Sequence, residues 1–164
     1  MALLHLMLEL QDTLSITVSA AHFNHQLRGK ESERDADFVA AHCSSLRIPL
    51  FQGQGDVAAY AAAHGIGTEE AARILRYDFF DSLSPDAKIA TAHHAQDNLE
   101  TMLMHLLRGC SLHGLSGIPP VRGRLIRPLL LTPPEELADY LKDNSIPHVE
   151  DSTNRLDDSL RNRL

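Results

Sequence analysis

Lys88–Gly109 reads KIATAHHAQDNLETMLMHLLRG, and this stretch changes periodicity in its middle. Lys88–Ala92 is a short apolar run of small residues, which suits a buried parallel strand. From Ala95 onward the spacing turns helical, with Leu99, Met102, Leu103, Leu106 and Leu107 on one side. At the junction stand His93, His94, Gln96, Asp97, Glu100 and Thr101. Asp97, Glu100 and Thr101 fall three and four positions apart and share one helical face. Open α/β sheets place their ligands at the carboxyl ends of strands, so this junction is the first candidate site.

Working outward, strand-like and helical runs alternate. Met1–Leu10 predicts a helix that opens without a polar cap and without a strand before it. Ser15–His22 is β-branched and apolar and predicts a strand, which runs into His22, Phe23, Asn24, His25, Gln26, Leu27, Arg28 and Gly29. Two histidines, an asparagine and an arginine at a strand end can orient a phosphate, a ribose or a carboxylate. The plainer reading is a loop whose polar side chains satisfy its own backbone. Ser32 with Asp35 resembles a capping box before a helix over Ala36–Leu46, and Ile48–Phe51 predicts a second strand. Gly53-Gln54-Gly55 lacks the third glycine of a dinucleotide fingerprint.

Asp56–His64 predicts an Ala-rich helix closed by Gly65, and Thr68 is placed as the cap of the next, with Glu69 and Glu70 in its first turn. That helix carries Arg73 and Arg76 as solvated or site-directed cations, beside Ile74, Tyr77, Phe79 and Phe80 as core. Ser111–Pro120 is a Gly/Pro-punctuated loop long enough to be functional. Arg124–Leu131 predicts a strand with Pro128 at its end or on an edge, and Pro133–Asn144 a helix. The alternation implies an α/β fold, a mostly parallel sheet with helices on both faces, within one domain over residues 1–164.

Composition narrows the function classes. The 164 residues carry a formal net charge of −7, which argues against a domain that coats nucleic acid through phosphate neutralisation. Only Lys30, Lys88 and Lys142 are lysines among the 15 basic residues; the rest are arginines, whose planar fork suits localised anion sites. No apolar run approaches the roughly 20 residues of a membrane span, so no membrane is expected as a partner. Met1–Leu10 lacks a basic start and a small-residue cleavage site. Cys43 and Cys110 form no C-x-x-C pair, so a reduced, cytoplasmic protein is expected.

Assembled, these motifs resemble the catalytic domain of the tRNA(Ile)-lysidine synthetases, a family of the ATP-pyrophosphatase (PP-loop) superfamily. The resemblance rests on His22-x-Asn24-His25-x-Leu27-Arg28-Gly29, on Glu70-Ala71-Ala72-Arg73-x-Leu75-Arg76-Tyr77 and on Ala92-His93-His94-x-x-Asp97-x-x-Glu100-Thr101. It continues through Arg108-Gly109 with Gly114-Leu115, Arg127-Pro128-Leu129, Glu150-Asp151-x-x-Asn154 and Arg161-Asn162-Arg163, nearly the whole chain.

The resemblance implies an adenine nucleotide alpha hydrolase-like, Rossmann-like fold. It implies a ligase that uses ATP and Mg2+ to adenylate the wobble cytidine of a tRNA(Ile) bearing a CAU anticodon. The amino group of free L-lysine then displaces AMP to give lysidine. Asp97, His93 and Arg76 are expected in catalysis, with Asp97 also on Mg2+. His22, Asn24, His25, Arg28, Arg73, His94, Glu100, Thr101, Arg108, Gly109, Arg127, Glu150, Asp151, Asn154, Arg161 and Arg163 are expected to bind ATP or substrate. Glu100, Glu150 and Asp151 are the candidates for holding lysine, and a homodimer is left open.

Two departures qualify these expectations. The superfamily's Ser-Gly-Gly-x-Asp-Ser loop has no counterpart, since the sequence contains no Gly-Gly, and MALLHL resembles the helix that follows that loop. The chain therefore reads as beginning at an internal methionine, without the first strand and phosphate loop, and as impaired alone. It also stops where many family members continue into tRNA-binding regions. Further, the family's frequent Asp pair after the histidines is Gln96-Asp97 here. The rival readings are a metal-dependent hydrolase using His22, His25, His93, His94 and Asp97, and a non-enzymatic nucleotide- or RNA-binding remnant. A tRNA-thiolating relative would need paired catalytic cysteines, which Cys43 and Cys110 do not supply.

Overall fold

The computed structural model describes residues 1–27, 29–109 and 116–149. They form helices α1 (Ala2–Leu14), α2 (Lys30–Ser45), α3 (Val57–His64), α4 (Thr68–Ser82), α5 (Ala95–Leu107) and α6 (Pro134–Asp143). The strands are β1 (Ala20–Asn24), β2 (Leu50–Gln54), β3 (Ile89–Ala90), β4 (Val121–Arg122) and β5 (Leu125–Ile126). This is an α/β chain with parallel pairing, as the alternation implied. It divides into two compact units, one of Met7–Ala87 and one of Met1–Leu6 with the chain from Lys88 onward. No helix among the described residues is long and apolar enough to cross a membrane.

In the Met7–Ala87 unit, β1 and β2 pair in parallel, with Ala20 opposite Leu50 and Asn24 opposite Gln54. The connection between them is α2, which packs against β1, as does α4. The core here is Val57, Ala61 and Ala71, with Tyr60, Ile66, Ala72 and Leu75 packed around it. A close backbone approach explains the glycine of β2. A Cβ on Gly53 would sit 2.9 Å from Phe23 Cδ2 and closer still to the Phe79 ring, so only glycine lets those rings cover the strand. Both ends of α3 are closed as the sequence indicates. Asp56 Oδ1 accepts the Ala59 N–H at 2.9 Å, and Gly65 takes a left-handed φ of 64°.

In the other unit, β3 pairs in parallel with β5 and β5 antiparallel with β4. Leu129, Leu130 and Ile146 are its buried apolar residues, and Arg127 is buried with them.

Several boundaries differ from expectation. The predicted strand Ser15–His22 begins at Ala20, where the Ala20 N–H first finds a partner in the Pro49 carbonyl. β2 likewise runs past Phe51 to Gln54. Helix α2 opens at Lys30 from Gly29, so the Ser32/Asp35 pair lies inside its first turns and is no capping box. Thr68 is the first residue of α4 and Gly67 its cap. The predicted strand Arg124–Leu131 pairs only over Leu125–Ile126. Residues 127–132 then turn, with Leu130 N–H on Arg127 O and Thr132 N–H on Leu129 O, because Pro128 has no N–H for a ladder. Helix α5 keeps its periodicity but not a full burial of its apolar side: Leu99, Leu106 and Leu107 are 55%, 56% and 64% exposed.

Candidate active site

The site residues proposed from sequence form two local groups, one in each unit. In the Met7–Ala87 unit they stand at the carboxyl end of β1 and on α4. His22 and Asn24 are the third and last residues of β1, and His25 follows it. Asn24 is occupied with the backbone: its Oδ1 accepts the Gln26 N–H at 2.9 Å and its Nδ2 reaches the Ser32 carbonyl at 3.5 Å. That side chain closes the turn into α2, where Gln26 takes a φ of 54°.

His25 lies edge-on to Phe23, with centroids 5.1 Å apart at 60°, and Phe23 rests on Phe79. Its Nδ1 is buried without a hydrogen-bond partner. Burial, then the Arg76 guanidinium and then His22, hold the His25 pKa below the usual histidine value. His22 is also lowered, by burial, with Asp35 partly opposing. The Arg76 effect on His25 places α4's cation within electrostatic reach of the β1 end. Arg73 and Arg76 are exposed, and both guanidinium carbons lie over the Tyr77 ring, at 5.3 and 5.9 Å.

In the other unit the group is built on the parallel β3–β5 pair. The Thr91 N–H donates to the Ile126 carbonyl at 3.0 Å, so the two chains leave the sheet side by side, one toward His93 and the other into Arg127. The Thr91 hydroxyl meets His93 Nδ1 at 2.9 Å. His94 caps α5, and Asp97 Oδ2 accepts the His94 N–H at 3.0 Å while lying 3.4 Å from His94 Nε2. Asp97 thus first serves the helix start, where the dipole favours an anion. Thr101 Oγ1 donates to the Asp97 carbonyl, and Glu100 Oε1 accepts from Gln96 Nε2 at 3.0 Å. His94 Nδ1 is buried and unpartnered.

Arg127 is only 8% exposed. Its Nη1 donates to the Pro119 carbonyl at 2.6 Å and its backbone N–H to Pro120, while Nε has no partner. No carboxylate pairs with it among the described residues, which leaves a buried cation with unused donor capacity. The Ala95 N–H on the Thr132 carbonyl, at 3.0 Å, ties the turn after Arg127 to the first residue of α5.

Arg108 and Gly109 do not join this group. They follow the last residue of α5, and a helix of 13 residues is about 20 Å long, so they lie at the end opposite His94 and Asp97. Arg28, Glu150, Asp151, Asn154, Arg161 and Arg163 lie outside the described residues, as does the Gly114-Leu115 motif. Among the described residues no three His, Cys, Asp or Glu side chains come together as a metal site. Sequence reasoning missed Thr91, Asn98 and Phe23. Thr91 had one signal, a hydroxyl two residues before His93. Asn98, whose Oδ1 accepts the Ile118 N–H at 2.7 Å, had none.

A family model described as a PP-loop domain matches residues 1–164. A protein of Petrotoga mobilis named tRNA(Ile)-lysidine synthase is 40% identical over 168 residues, covering 100% of this chain and 53% of its own length. The Bacillus subtilis protein of that name is 41% identical over 100% of this chain and 36% of its own. That of Bacteroides thetaiotaomicron is 40% identical over 96% and 38%. The chain therefore spans about half or less of the length of these curated relatives. Matched along its whole length, the chain belongs to the PP-loop domain family, whose fold is the adenine nucleotide alpha hydrolase-like α/β fold.

Proposed function

We propose that residues 1–164 act as one ATP-pyrophosphatase-type catalytic domain of a tRNA(Ile)-lysidine synthetase. ATP adenylates the wobble cytidine of a tRNA(Ile) with a CAU anticodon and pyrophosphate leaves. The amine of free L-lysine then attacks the activated carbon and AMP departs, leaving lysidine. The observation that carries this reading is the 40% identity to the Petrotoga mobilis enzyme across the whole chain.

The chemistry asks little covalent work of the protein and much positioning and charge stabilisation. Arg76 and Arg73, exposed on α4, are assigned to phosphate or nucleotide, with His22 and His25 as neutral partners at the β1 end. In the β3–β5 unit, Arg127 supplies a buried guanidinium for an anionic group, and His93 positions the reacting atoms. Asp97 is assigned to Mg2+ and Glu100 to the lysine amine. Mg2+ fits as an ion shared between one carboxylate and substrate phosphates, its usual mode, because the described residues offer no all-protein cage. When bound, it neutralises charge developing on the pyrophosphate. Arg28, Glu150, Asp151, Asn154, Arg161 and Arg163 keep their assignment to substrate. Turnover by the 164 residues is expected to be slow, since they contain no Gly-Gly to grip the pyrophosphate.

The test is the fate of α-labelled ATP incubated with Mg2+, lysine and a tRNA(Ile) transcript. Label in AMP, formed only when tRNA is present, supports the proposal. Label in ADP, or AMP independent of tRNA, overturns it.

A further inference from the structure

Arg127 is the first residue past β5 and leaves the sheet at the carboxyl end of the parallel β3–β5 pair, where open α/β sheets receive their ligands. Its main chain and one corner of its guanidinium are committed to the fold. The backbone N–H donates to the Pro120 carbonyl at 2.9 Å and Nη1 to the Pro119 carbonyl at 2.6 Å. The opposite edge is uncommitted. Nε is sealed from solvent without an acceptor, while Nη2 meets none among the described residues and is not sealed. Nε–H and Nη2–H run parallel, so this edge is a two-pronged donor for a planar pair of oxygens.

A structural clamp accounts for Nη1 alone. A neutral donor would hold the Pro119 carbonyl as well, without the cost of burying a charge that no carboxylate balances among the described residues. We propose that the Nε–Nη2 edge of Arg127 receives the carboxylate of the free amino acid, L-lysine; this rests on the reaction proposed above and names the substrate group that Arg127 takes. Charge matching selects that group. One guanidinium balances the single negative charge of a carboxylate, and both oxygens find a donor. A triphosphate would bring several charges to one cation and leave the surplus desolvated. A polynucleotide backbone is too bulky to carry a phosphodiester down to a side chain only 8% exposed, whereas a free amino acid is small. Holding lysine by its carboxylate leaves the side-chain amine free to attack.

NMR of the arginine Nε–Hε groups in the 164-residue chain tests the proposal. The Arg127 signal is assigned by its loss in Arg127→Lys, or from its contacts with Pro119 if that variant does not fold. L-Lysine is expected to move the Arg127 Hε downfield and slow its exchange with water, while L-lysinamide, which lacks the carboxylate, and pyrophosphate leave it in place. The titration is run on the chain alone and again with Mg2+, α,β-methylene-ATP and the tRNA(Ile) transcript, so that lysine entering last is also read. No movement under L-lysine in either condition, or an equal movement under lysinamide, overturns the proposal. Movement under pyrophosphate assigns the edge to phosphate and overturns it too.

In the tRNA-dependent assay, Arg127→Lys raises KM for L-lysine by at least about tenfold and leaves KM for ATP unchanged, because an ammonium keeps the charge and loses the fork. An equal rise in both KM values contradicts a carboxylate site. A wild-type chain that forms no AMP but shows the lysine-dependent shift overturns the reaction and leaves the carboxylate site standing. AMP formation with an unmoved Arg127 signal overturns the site alone, so the two failures are separable.

Discussion

Gly117→Ala is the substitution whose cost can be worked most fully from the structure. Gly117 has a φ of 67°, and a Cβ there would meet Asn98 Oδ1 at less than contact distance and Met102 Cγ at 3.1 Å. The left-handed backbone costs an alanine about 1–2 kcal/mol. The Asn98 side chain must also move, which breaks its bond to the Ile118 N–H, 2.7 Å long, for about 1 kcal/mol more. The sum is a local destabilisation of about 2–3 kcal/mol, confined to the tether between residues 116–118 and α5.

Hydrogen exchange of the Ile118 amide reads that tether directly, because two compact units need not unfold together. Asn98→Ala should by itself expose the same amide. In that background Gly117→Ala should cost only the backbone contribution, so the pair is non-additive by about 1 kcal/mol. Unchanged Ile118 protection in Gly117→Ala, or strict additivity with Asn98→Ala, would refute the reasoning.

Two further outcomes follow from the site. Asp97→Asn keeps an oxygen to accept the His94 N–H, so α5 should lose no more than about 1 kcal/mol, while Mg2+-dependent ATP binding weakens by at least about tenfold; calorimetric titration with and without Mg2+ checks this, and an unchanged metal dependence counts against Asp97 as a ligand. His22 and His25 both have folded pKa values below their ordinary 6.5, so the unfolded chain binds more protons than the folded one in this range. Their contribution to stability is therefore full above pH 6.5 and declines as pH falls through that value toward the depressed folded pKa values. NMR titration of the two rings should show midpoints below 6.5, and replacing both with Gln should flatten the stability slope; midpoints above 6.5 would contradict the burial that sets them.

Much of the fold was legible because its signals are local. The α5 periodicity starts at Ala95 in sequence and in structure, and the Asp56 and Gly65 signals close α3 where expected. Strand limits were less legible because they belong to the partner. The β-branched Ser15–His22 run favours β structure, yet the ladder starts at Ala20, where Pro49 and Leu50 come alongside. Arg127-Pro128 reads as strand by its apolar neighbours and turns instead, since proline cannot extend the pairing.

At the site, residue types identified the strand ends that matter but not each side chain's task. Asn24 closes a turn, Asp97 caps α5, and the buried guanidinium of Arg127 spans to Pro119, none of which a spacing pattern encodes. Arg108 and Gly109 are near Asp97 in sequence and a helix length away in space. Thr91 was passed over because a threonine ending a strand ordinarily signifies only β propensity.

The most direct measurement is mass spectrometry of nucleosides from a tRNA(Ile) transcript incubated with this chain, ATP, Mg2+ and isotope-labelled lysine. The proposed reaction requires labelled lysidine in place of the wobble cytidine, formed only with ATP present. An unmodified cytidine after prolonged incubation, with ATP intact or cleaved to ADP, would contradict it.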